Sequence, residues 1–269
     1  MSFISVDLQK CTRCGLCARD CPYVVLAVDA KNGPRVIREA CVACGHCVAV
    51  CPQAALDNEN CPLAAQTPDL APALPPDDVW HLLRSRRSIR WFEEKKPGRE
   101  EIARLLDLAR FAPTASNTQG LDFLVFDRRE TLEAMSAAVI DWGRAAVEDD
   151  LPISSIMNGL IEKYEQGLDS ILFNAPCLVV TASALPERRT RENSIFSLLY
   201  AQLYAPSLGL GSCWAGVLEA CAFAGCRPLL QLLDLPPGAN FGAALALGYP
   251  RYRHPRLVDR QPLRLNWKS

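Results

Sequence analysis

The stretch "CTRCGLCARDCP", residues 11–22, places four cysteines within twelve residues and follows the last with proline. Thirty residues later, "CVACGHCVAVCP" at residues 41–52 repeats the arrangement, with Gly15 of the first stretch matched by Gly45 of the second. Both halves have the spacing C-x2-C-x2-C-x3-C-P, and the chain holds 13 cysteines in all. This concentration near the start indicates a small cysteine-rich domain joined to a larger one.

The spacing of the thiols indicates what they bind. Three cysteines at two-residue intervals can turn toward one iron–sulfur cube, while the fourth, after a longer step, points to a neighbouring cube. The alternatives are a structural zinc site or disulfides. Zinc usually takes pairs of ligands separated by a long loop, and disulfides are rare in chains that are not secreted. The repeat therefore favours iron–sulfur clusters.

The repeat resembles the bacterial two-cluster ferredoxins over about residues 1–60. The resemblance implies two [4Fe-4S] clusters, each held by three cysteines of one half and one of the other. The first ligand set is Cys11, Cys14, Cys17 and Cys51, and the second is Cys41, Cys44, Cys47 and Cys21. A domain of this size buries little apolar surface, so we expect the clusters to supply much of its folding free energy. His46 is interpreted as an exposed loop residue.

Charge and hydropathy bear on location and partners. The 269 residues include 29 Lys and Arg against 30 Asp and Glu, for a net charge of -1. This balance gives no field that would attract nucleic acid or an anionic membrane. The N-terminal residues lack the pattern of a secretion signal, and no run approaches the roughly 18 apolar residues of a membrane span. We therefore expect a soluble cytoplasmic protein with neither nucleic acid nor membrane as partner.

A proline-rich segment follows the repeat. It predicts a semi-rigid linker at 61–77 between a domain at 1–60 and a second domain at 78–269. Cys61 in this linker is interpreted as a spare thiol. In the second domain, hydrophobic periodicity predicts helices alternating with short strands. The predicted helices are 77–87, 99–112, 156–166 and 191–209, and the predicted strands are 122–126, 176–183, 209–216 and 241–250.

Basic residues crowd the stretch "RRSIRWF", residues 86–92. The guanidinium groups of Arg86, Arg87 and Arg90 match phosphate oxygens, and the hydroxyl of Ser88 adds a further donor. Basic residues at helix ends are also common without any ligand, because they suit the helix dipole. The stretch by itself is compatible with a phosphate site or with a solvated charged surface.

Two further stretches suggest a ligand site. In "FAPTASNTQG", residues 111–120, Asn117 and Gln119 can read the edge of a planar heterocycle, although such residues also make turns. In "GLGSCWAG", residues 209–216, glycines allow backbone amides to approach a ligand closely, although they also suit a tight helix-to-strand turn.

The order and spacing of these three stretches, followed by "LGYP" at 247–250, resemble the nitroreductase family of flavin enzymes over about residues 78–269. With the cysteine repeat, the chain resembles the ferredoxin-fused branch of that family. The resemblance implies an α+β fold, with a nitroreductase-like FMN-binding dimer and a small N-terminal two-cluster domain. It also implies a homodimer that holds FMN in clefts at the subunit interface.

The resemblance also implies a set of FMN contacts. Arg86, Arg87 and Ser88 would hold the phosphate or ribityl end, and Arg90 would lie near the pyrimidine end of the ring system. Residues from the opposite subunit would be Pro113, Thr114, Ala115 and Asn117, with Gln119 adjacent. Trp214, Ala215 and Gly216 would pass the central ring and offer a backbone amide toward N5. Arg260, and more weakly Arg256, would reach the phosphate. Gly120 and Leu121 depart from the family's more typical proline and aromatic residue, and no side chain stands out as a catalytic acid or base.

The two domains together predict an oxidoreductase. Electrons from a low-potential donor would pass through the clusters to FMN, which would reduce a small electron-poor organic compound such as a nitroaromatic or an activated double bond. The donor could be an external ferredoxin, a hydrogenase or NAD(P)H. Two alternatives remain open: an electron-transfer module serving a protein partner, and a redox sensor. Cys177, Cys213, Cys221 and Cys226 are interpreted as buried core thiols.

Overall fold

A computed structural model describes residues 2–149 and 151–268. Contacts divide the chain into two units. The first takes the chain up to Ala73 together with Ser116–Thr118, and the second takes Leu74–Ala115 and the chain from Gln119 onward. The boundary near Ala73 falls inside the proline-rich segment 61–77.

The first unit is built from short elements around the cysteine repeat. They are strand β1 (Ile4–Val6), helix α1 (Leu16–Arg19), strands β2 (Leu26–Asp29) and β3 (Gly33–Val36), helix α2 (His46–Ala49) and strand β4 (Leu56–Asn58). β1 pairs with β4 and β2 pairs with β3, both antiparallel. A small apolar cluster of Ile4, Val25, Leu26, Val48 and Leu56 lies between them.

The backbone of the first unit repeats with the same 30-residue offset as the sequence. Helices α1 and α2 each follow a glycine in the left-handed conformation, Gly15 with φ 80° and Gly45 with φ 76°. Glycine suits these positions because a Cβ atom disfavours positive φ. Other positive-φ residues recur in pairs at this offset, Arg13 with Ala43 and Val24 with Ala54. The two halves are therefore alike in conformation as well as in cysteine spacing.

The second unit is a mixed helix and sheet structure. Its helices are α3 (Pro76–Ser85), α4 (Arg99–Ala109), α5 (Arg129–Glu148), α6 (Ser154–Glu165), α7 (Glu187–Tyr204), α8 (Gly216–Phe223) and α9 (Arg227–Leu233). Its strands are β5 (Asp122–Phe126), β6 (Cys177–Ser183), β7 (Gly211–Trp214) and β8 (Asn240–Gly248). The strands form an antiparallel sheet in the order β5-β6-β8-β7.

Helices cover both faces of this sheet. Every residue of β6 is buried, as is every residue of β8 after Asn240. Alternate residues of a strand point to opposite faces. Accordingly, Leu178 and Val180 pack in one core with residues of α5, α6, α8 and α9, whereas Val179 packs in another with residues of α4 and α7. Burial on both faces explains why β6 and β8 read as nearly continuous apolar runs.

Helix α7 differs from its expected bounds and from its expected polarity. It begins at Glu187 and ends at Tyr204, where a short 3-10 turn follows. Its buried residues are largely polar or small: Thr190, Asn193, Ser194, Ser197, Leu198, Ala201 and Gln202. Its larger apolar side chains, Ile195, Phe196, Leu199 and Tyr200, are instead exposed in the single chain.

Helix α5 was not predicted from the sequence, which is polar and only weakly periodic from residue 141 onward. Its buried face includes the small residues Ser136, Gly143 and Ala146. A Cβ atom added at Gly143 would overlap the Met157 side chain, with Met157 Cγ only 3.3 Å away. The helix α6 that carries Met157 can approach α5 closely because Gly143 is small.

Within the described residues, no single helix is long and apolar enough to cross a membrane. Helices α8 and α9 together are long and apolar enough by length and composition, but they are bent by 112° relative to each other.

Candidate functional site

The cysteines of the repeat line two cavities in the first unit. Each cavity has an empty volume of about 390 Å³, including the part open to solvent. One is lined by Cys11, Cys14, Cys17 and Cys51, and the other by Cys21, Cys41, Cys44 and Cys47. The structure thus brings together the same two groups of four that the ferredoxin resemblance implies.

The donor set of each cavity suits a negatively charged cluster. The backbone N–H of Val25 donates to Cys21 Sγ at 3.4 Å, and that of Ala55 donates to Cys51 Sγ at 3.3 Å. Such bonds stabilise thiolates, which are the form that binds iron. Among the described residues, no group of three His, Cys, Asp or Glu side chains is spaced to hold a single metal ion. The thiols surround a volume instead of converging on a point.

Among the equivalent positions at which the two cavities differ, one carries a buried amide side chain. Asn58, at the end of β4, is buried with 1% of its surface exposed. Its Nδ2 lies 3.8 Å from Cys47 Sγ and 3.9 Å from Cys41 Sγ. Val28 occupies the equivalent position in the first half and lines the other cavity. Burial raises the pKa of Cys47, and the hydrogen bond from Asn58 opposes that rise.

Cys61 lies against the second cysteine loop. A Cβ atom added at Gly45 would be 3.7 Å from Cys61 Cβ. The Gln66 side chain links the two segments, because its Nε2 donates to Cys61 O at 3.3 Å and to Gly45 O at 3.5 Å. Burial, reinforced by the neighbouring thiol of Cys47, raises the pKa of Cys61 to about 11. The linker thiol is thus protonated at neutral pH.

In the second unit, the stretch "RRSIR" lies beside β7. Ile89 N–H donates to Ser212 O at 2.9 Å, and Ser88 forms a bridge with Ser212. This pairing places Ser88 next to the thiol of Cys213, with Arg90 and Arg86 also close enough to act on it electrostatically. Burial nevertheless raises the pKa of Cys213. Arg86, Ser88 and Arg90 therefore lie on the segment that runs beside β7, near Cys213, and could hold an anionic or electron-rich ligand.

Arg87 points to different partners. Its Nη2 donates to Arg256 O at 2.8 Å and its Nη1 to Arg84 O at 3.3 Å. With Arg86 it lines an open cavity with an empty volume of about 1370 Å³, including the part open to solvent. Arg260 is exposed, and the preceding residue, Asp259, lies 3.8 Å from Arg84. In the single chain, the arginines near the C-terminus are thus linked to the end of α3.

The segment 113–119 has a constrained backbone. Ser116, Asn117 and Gln119 have φ values of 54°, 52° and 48°, in the left-handed region that non-glycine residues rarely adopt. Thr114 Oγ1 accepts the N–H of Gln119 at 3.0 Å, and Ala115 N–H donates to Asn193 Oδ1 at 3.2 Å. Pro113 is exposed.

Ser116–Thr118 is grouped with the first unit, where the Asn117 side chain holds the second cysteine loop. Its Nδ2 donates to Val42 O at 2.9 Å and to Ala43 O at 3.0 Å. Tyr23 OH donates to Ser116 Oγ at 2.8 Å.

A buried acid supports the strand end at Trp214. Glu219 of α8 is 3% exposed, and its Oε2 accepts bonds from Trp214 Nε1 at 2.7 Å and Arg191 Nη2 at 2.9 Å. Its Oε1 accepts the N–H of Ala244 at 2.8 Å. Sequence reasoning missed this residue. The available signal was a single charge in the otherwise apolar sequence of α8.

The cysteines outside the repeat and the linker lie in the second unit. Cys177, Cys213 and Cys221 are buried, as expected for core thiols, whereas Cys226 is only partly buried. Burial raises the pKa of Cys177 to about 12. His46, interpreted as an exposed loop residue, begins α2; its ring is exposed and its Nδ1 lies 3.7 Å from Asp20 Oδ2.

Comparisons with known proteins match the two parts of the chain to two different families. Residues 83–249, more than half of the chain, match the Nitroreductase family, and residues 3–52 match the 4Fe-4S dicluster domain. A putative NADH dehydrogenase/NAD(P)H nitroreductase from Archaeoglobus fulgidus is 27% identical over 175 residues, which cover 65% of this chain and 87% of that protein.

Solved structures share the fold of the second unit. A nitroreductase with bound FMN from Desulfitobacterium hafniense is 22% identical with a TM-score of 0.56, covering 70% of this chain and 98% of its own. An oxidised iodotyrosine deiodinase bound to FMN and 3-iodo-L-tyrosine is 21% identical with a TM-score of 0.56, covering 71% of this chain and 99% of its own. The predicted α+β nitroreductase-like fold is confirmed. The chain belongs to the nitroreductase family, here joined to an N-terminal 4Fe-4S dicluster domain.

Proposed function

We propose that the chain is an FMN- and iron–sulfur-dependent oxidoreductase. It takes electrons from a low-potential donor through two [4Fe-4S] clusters and delivers them to a small electron-poor organic compound, a nitroaromatic or an activated double bond. The observation that carries this proposal is the pair of cavities, each lined by four cysteines, in the same chain as a nitroreductase-family domain.

The cysteines would hold one cluster in each cavity. The ligands are Cys11, Cys14, Cys17 and Cys51 in one cavity and Cys21, Cys41, Cys44 and Cys47 in the other. Cys21 and Cys51 each cross to the cavity of the other half, so cluster binding would tie the two halves together. The backbone N–H groups of Val25 and Ala55 support this assignment, because they donate to these two crossing sulfurs.

The second unit would bind FMN. When bound, FMN can accept electrons singly and release them in pairs, which joins one-electron donors to two-electron reductions. Arg86, Ser88 and Arg90 supply cationic and hydroxyl donors beside β7, and they suit the phosphate and the electron-rich pyrimidine edge of this cofactor. Glu219 would hold Trp214, and with it the turn to Gly216, in a fixed position beside the ring.

Two subunits would form the complete site. The apolar side chains of Ile195, Phe196, Leu199 and Tyr200 on α7 are exposed in the single chain, as are Leu82 and Leu83 of α3. Exposed apolar surface on this scale is typical of an interface. A homodimer would cover it and would bring the opposite subunit's residues Pro113, Thr114, Ala115 and Asn117, with Gln119, to the flavin. Arg87, Arg256 and Arg260 would add phosphate contacts.

We infer that the donor is a low-potential one-electron carrier such as a reduced ferredoxin, because clusters of this ligation can have potentials well below those of flavins. A hydrogenase could serve the same role. The name of the Archaeoglobus fulgidus relative supports NAD(P)H as a second donor that acts directly at the flavin. The cytoplasm would provide the reducing conditions that this cofactor set needs.

Anaerobic turnover of a nitroaromatic probe tests the electron route. The proposal expects Cys11→Ala and Cys41→Ala to lose turnover with reduced ferredoxin while retaining bound FMN and turnover with NAD(P)H. Cys226→Ser, a partly buried thiol outside both cavities, is the matched control and should behave as the parent chain. If both cavity variants turn over at the parent rate with the ferredoxin donor, the route through the clusters is wrong.

A further inference from the structure

The two cysteine-lined cavities differ at several equivalent positions, and at one of them a buried amide side chain, Asn58, stands where the other cavity has Val28. We propose that Asn58 raises the reduction potential of the cluster held by Cys21, Cys41, Cys44 and Cys47, and that Val28 gives the other cluster no such support. The inference rests on the proposed function, because it requires the cysteines to hold [4Fe-4S] clusters.

The geometry directs the Asn58 amide toward sulfur. Its Oδ1 accepts the backbone N–H of Asn60 at 3.0 Å, which identifies the oxygen end of the carboxamide. The NH2 end therefore faces the cavity, 3.8 Å from Cys47 Sγ and 3.9 Å from Cys41 Sγ. Asn58 is 1% exposed, so water is largely excluded from this donor.

The first half lacks this donor at the same place. Val28 pairs with Pro34 in the β2–β3 ladder just as Asn58 pairs with Ile4 in the β1–β4 ladder, and an isopropyl group cannot donate a hydrogen bond. The backbone bonds to the crossing cysteines are nearly equal, at 3.4 Å and 3.3 Å, so they do not distinguish the cavities. The Thr12 side chain does hydrogen-bond to Cys14 in the first half, but Cys14 is exposed, so water competes for its sulfur.

The effect on potential follows from charge. One-electron reduction adds one negative charge, part of which resides on the cysteine sulfurs. An N–H donor aimed at those sulfurs stabilises the reduced form more than the oxidised form, and exclusion of water strengthens the interaction. The same pairing explains why the NH2 group of Asn58 can be buried, since a polar group left without a partner there would be destabilising. Asn58 thus favours the reduced form of the cluster held by Cys21, Cys41, Cys44 and Cys47.

Redox titration with dithionite, followed by electron paramagnetic resonance on the full anaerobic chain, tests the inference. In Asn58→Val, one of the two midpoint potentials should fall. At a fixed potential the ratio of reduced to oxidised cluster should then drop about tenfold, which corresponds to about 59 mV for a one-electron couple. The reciprocal Val28→Asn should raise the other midpoint by a smaller amount, because Val28 is only partly buried. Asn60→Ala, an exposed neighbour whose backbone bond to Asn58 is kept, should shift neither midpoint.

The outcomes separate this inference from the proposed function. Iron and sulfide assays come first, and a parent chain without them would overturn the proposed function itself. If clusters are present and neither reciprocal variant moves a midpoint, the role of Asn58 is wrong while the cluster assignment stands. Should Asn58→Val fail to assemble its clusters, Val28→Asn decides alone, and an unchanged or lowered midpoint in that variant contradicts the inference.

Discussion

The two units reach a defined structure by different means. The first has a small apolar cluster of short-strand residues such as Ile4, Leu26 and Leu56, arranged around two cysteine-lined cavities. The second has a sheet whose strands β6 and β8 are almost wholly buried between two helical layers. The comparison leads us to expect that bound clusters supply much of the stability of the first unit, whereas apolar packing stabilises the second.

Removal of iron and sulfide should have the largest effect and should unfold the first unit while leaving the second folded. We expect the apo chain to lose amide-exchange protection over β1–β4, because binding free energy replaces a large core there. Protection of β6 and β8 should remain. Hydrogen exchange with mass analysis of peptides measures both regions in one sample. Equal protection of β1–β4 with and without clusters would refute the idea that the clusters hold this unit together.

Truncation of a core side chain should destabilise the second unit without affecting the first. Leu198 of α7 is fully buried against the sheet, so Leu198→Ala should lower the free energy of unfolding of this unit by about 2–5 kcal/mol. The exposed Leu263 of the same unit provides the control, for which Leu263→Ala should cost under about 0.5 kcal/mol. Denaturant unfolding monitored by tryptophan fluorescence reports the difference, while cluster absorbance should be unchanged. A similar loss in both variants would show that the assigned core is wrong.

The buried acid of the second unit gives an intermediate effect. Glu219→Gln keeps the shape but weakens the bonds from Arg191 and Trp214, at a cost of about 1.5–3 kcal/mol. Flavin should also dissociate more readily, because Trp214 loses its fixed position. Glu192→Gln removes an exposed partner of Arg188 and should cost no more than about 1 kcal/mol. Flavin retention on dilution would be measured for both, and a Glu219→Gln protein with parental retention and stability contradicts the support role.

The smallest effect concerns a helix start. Glu101 accepts the Gly98 N–H at 2.8 Å and the Tyr249 hydroxyl, and these bonds lower the pKa of its carboxyl. A lowered pKa stabilises the fold above the ordinary value of 4.5, and that contribution is lost as the pH falls through the folded-state pKa. The stability advantage of the parent over Glu101→Gln, under about 1 kcal/mol at neutral pH, should therefore shrink below pH 4.5. Glu100→Gln is the matched control, and an advantage that grew in acid would contradict the sign.

Sequence patterns predicted the strands whose residues serve only to build and pack the sheet. The strand at 122–126 has the predicted bounds, and the strand predicted at 176–183 differs by one residue, because β-branched and apolar runs there serve only the sheet. The resemblance to two-cluster ferredoxins likewise implied the two groups of four cysteines that line the cavities. By contrast, α5 was missed because small residues such as Gly143 form part of its buried face, which weakens the hydrophobic period.

Other features depend on contacts that no local pattern encodes. Helix α7 turns polar residues such as Asn193 and Ser197 inward, and the Ser197 hydroxyl donates a hydrogen bond to Ala109 O at 2.7 Å, a tertiary contact that hydropathy does not predict. Asn58 is inconspicuous in the sequence, and its importance emerges only when the repeat is extended beyond the cysteines to Val28. Glu219 could have been noticed as a charge in an apolar helix, but its partners Arg191 and Trp214 come from separate elements.

The most direct test of the central claim is an anaerobic reductive titration that counts electrons taken up per chain, followed by cluster and flavin absorbance together. The account predicts about four electrons per chain, one for each of two clusters and two for one FMN. An uptake of about two electrons confined to flavin absorbance, in protein that retains its iron and sulfide, would contradict it.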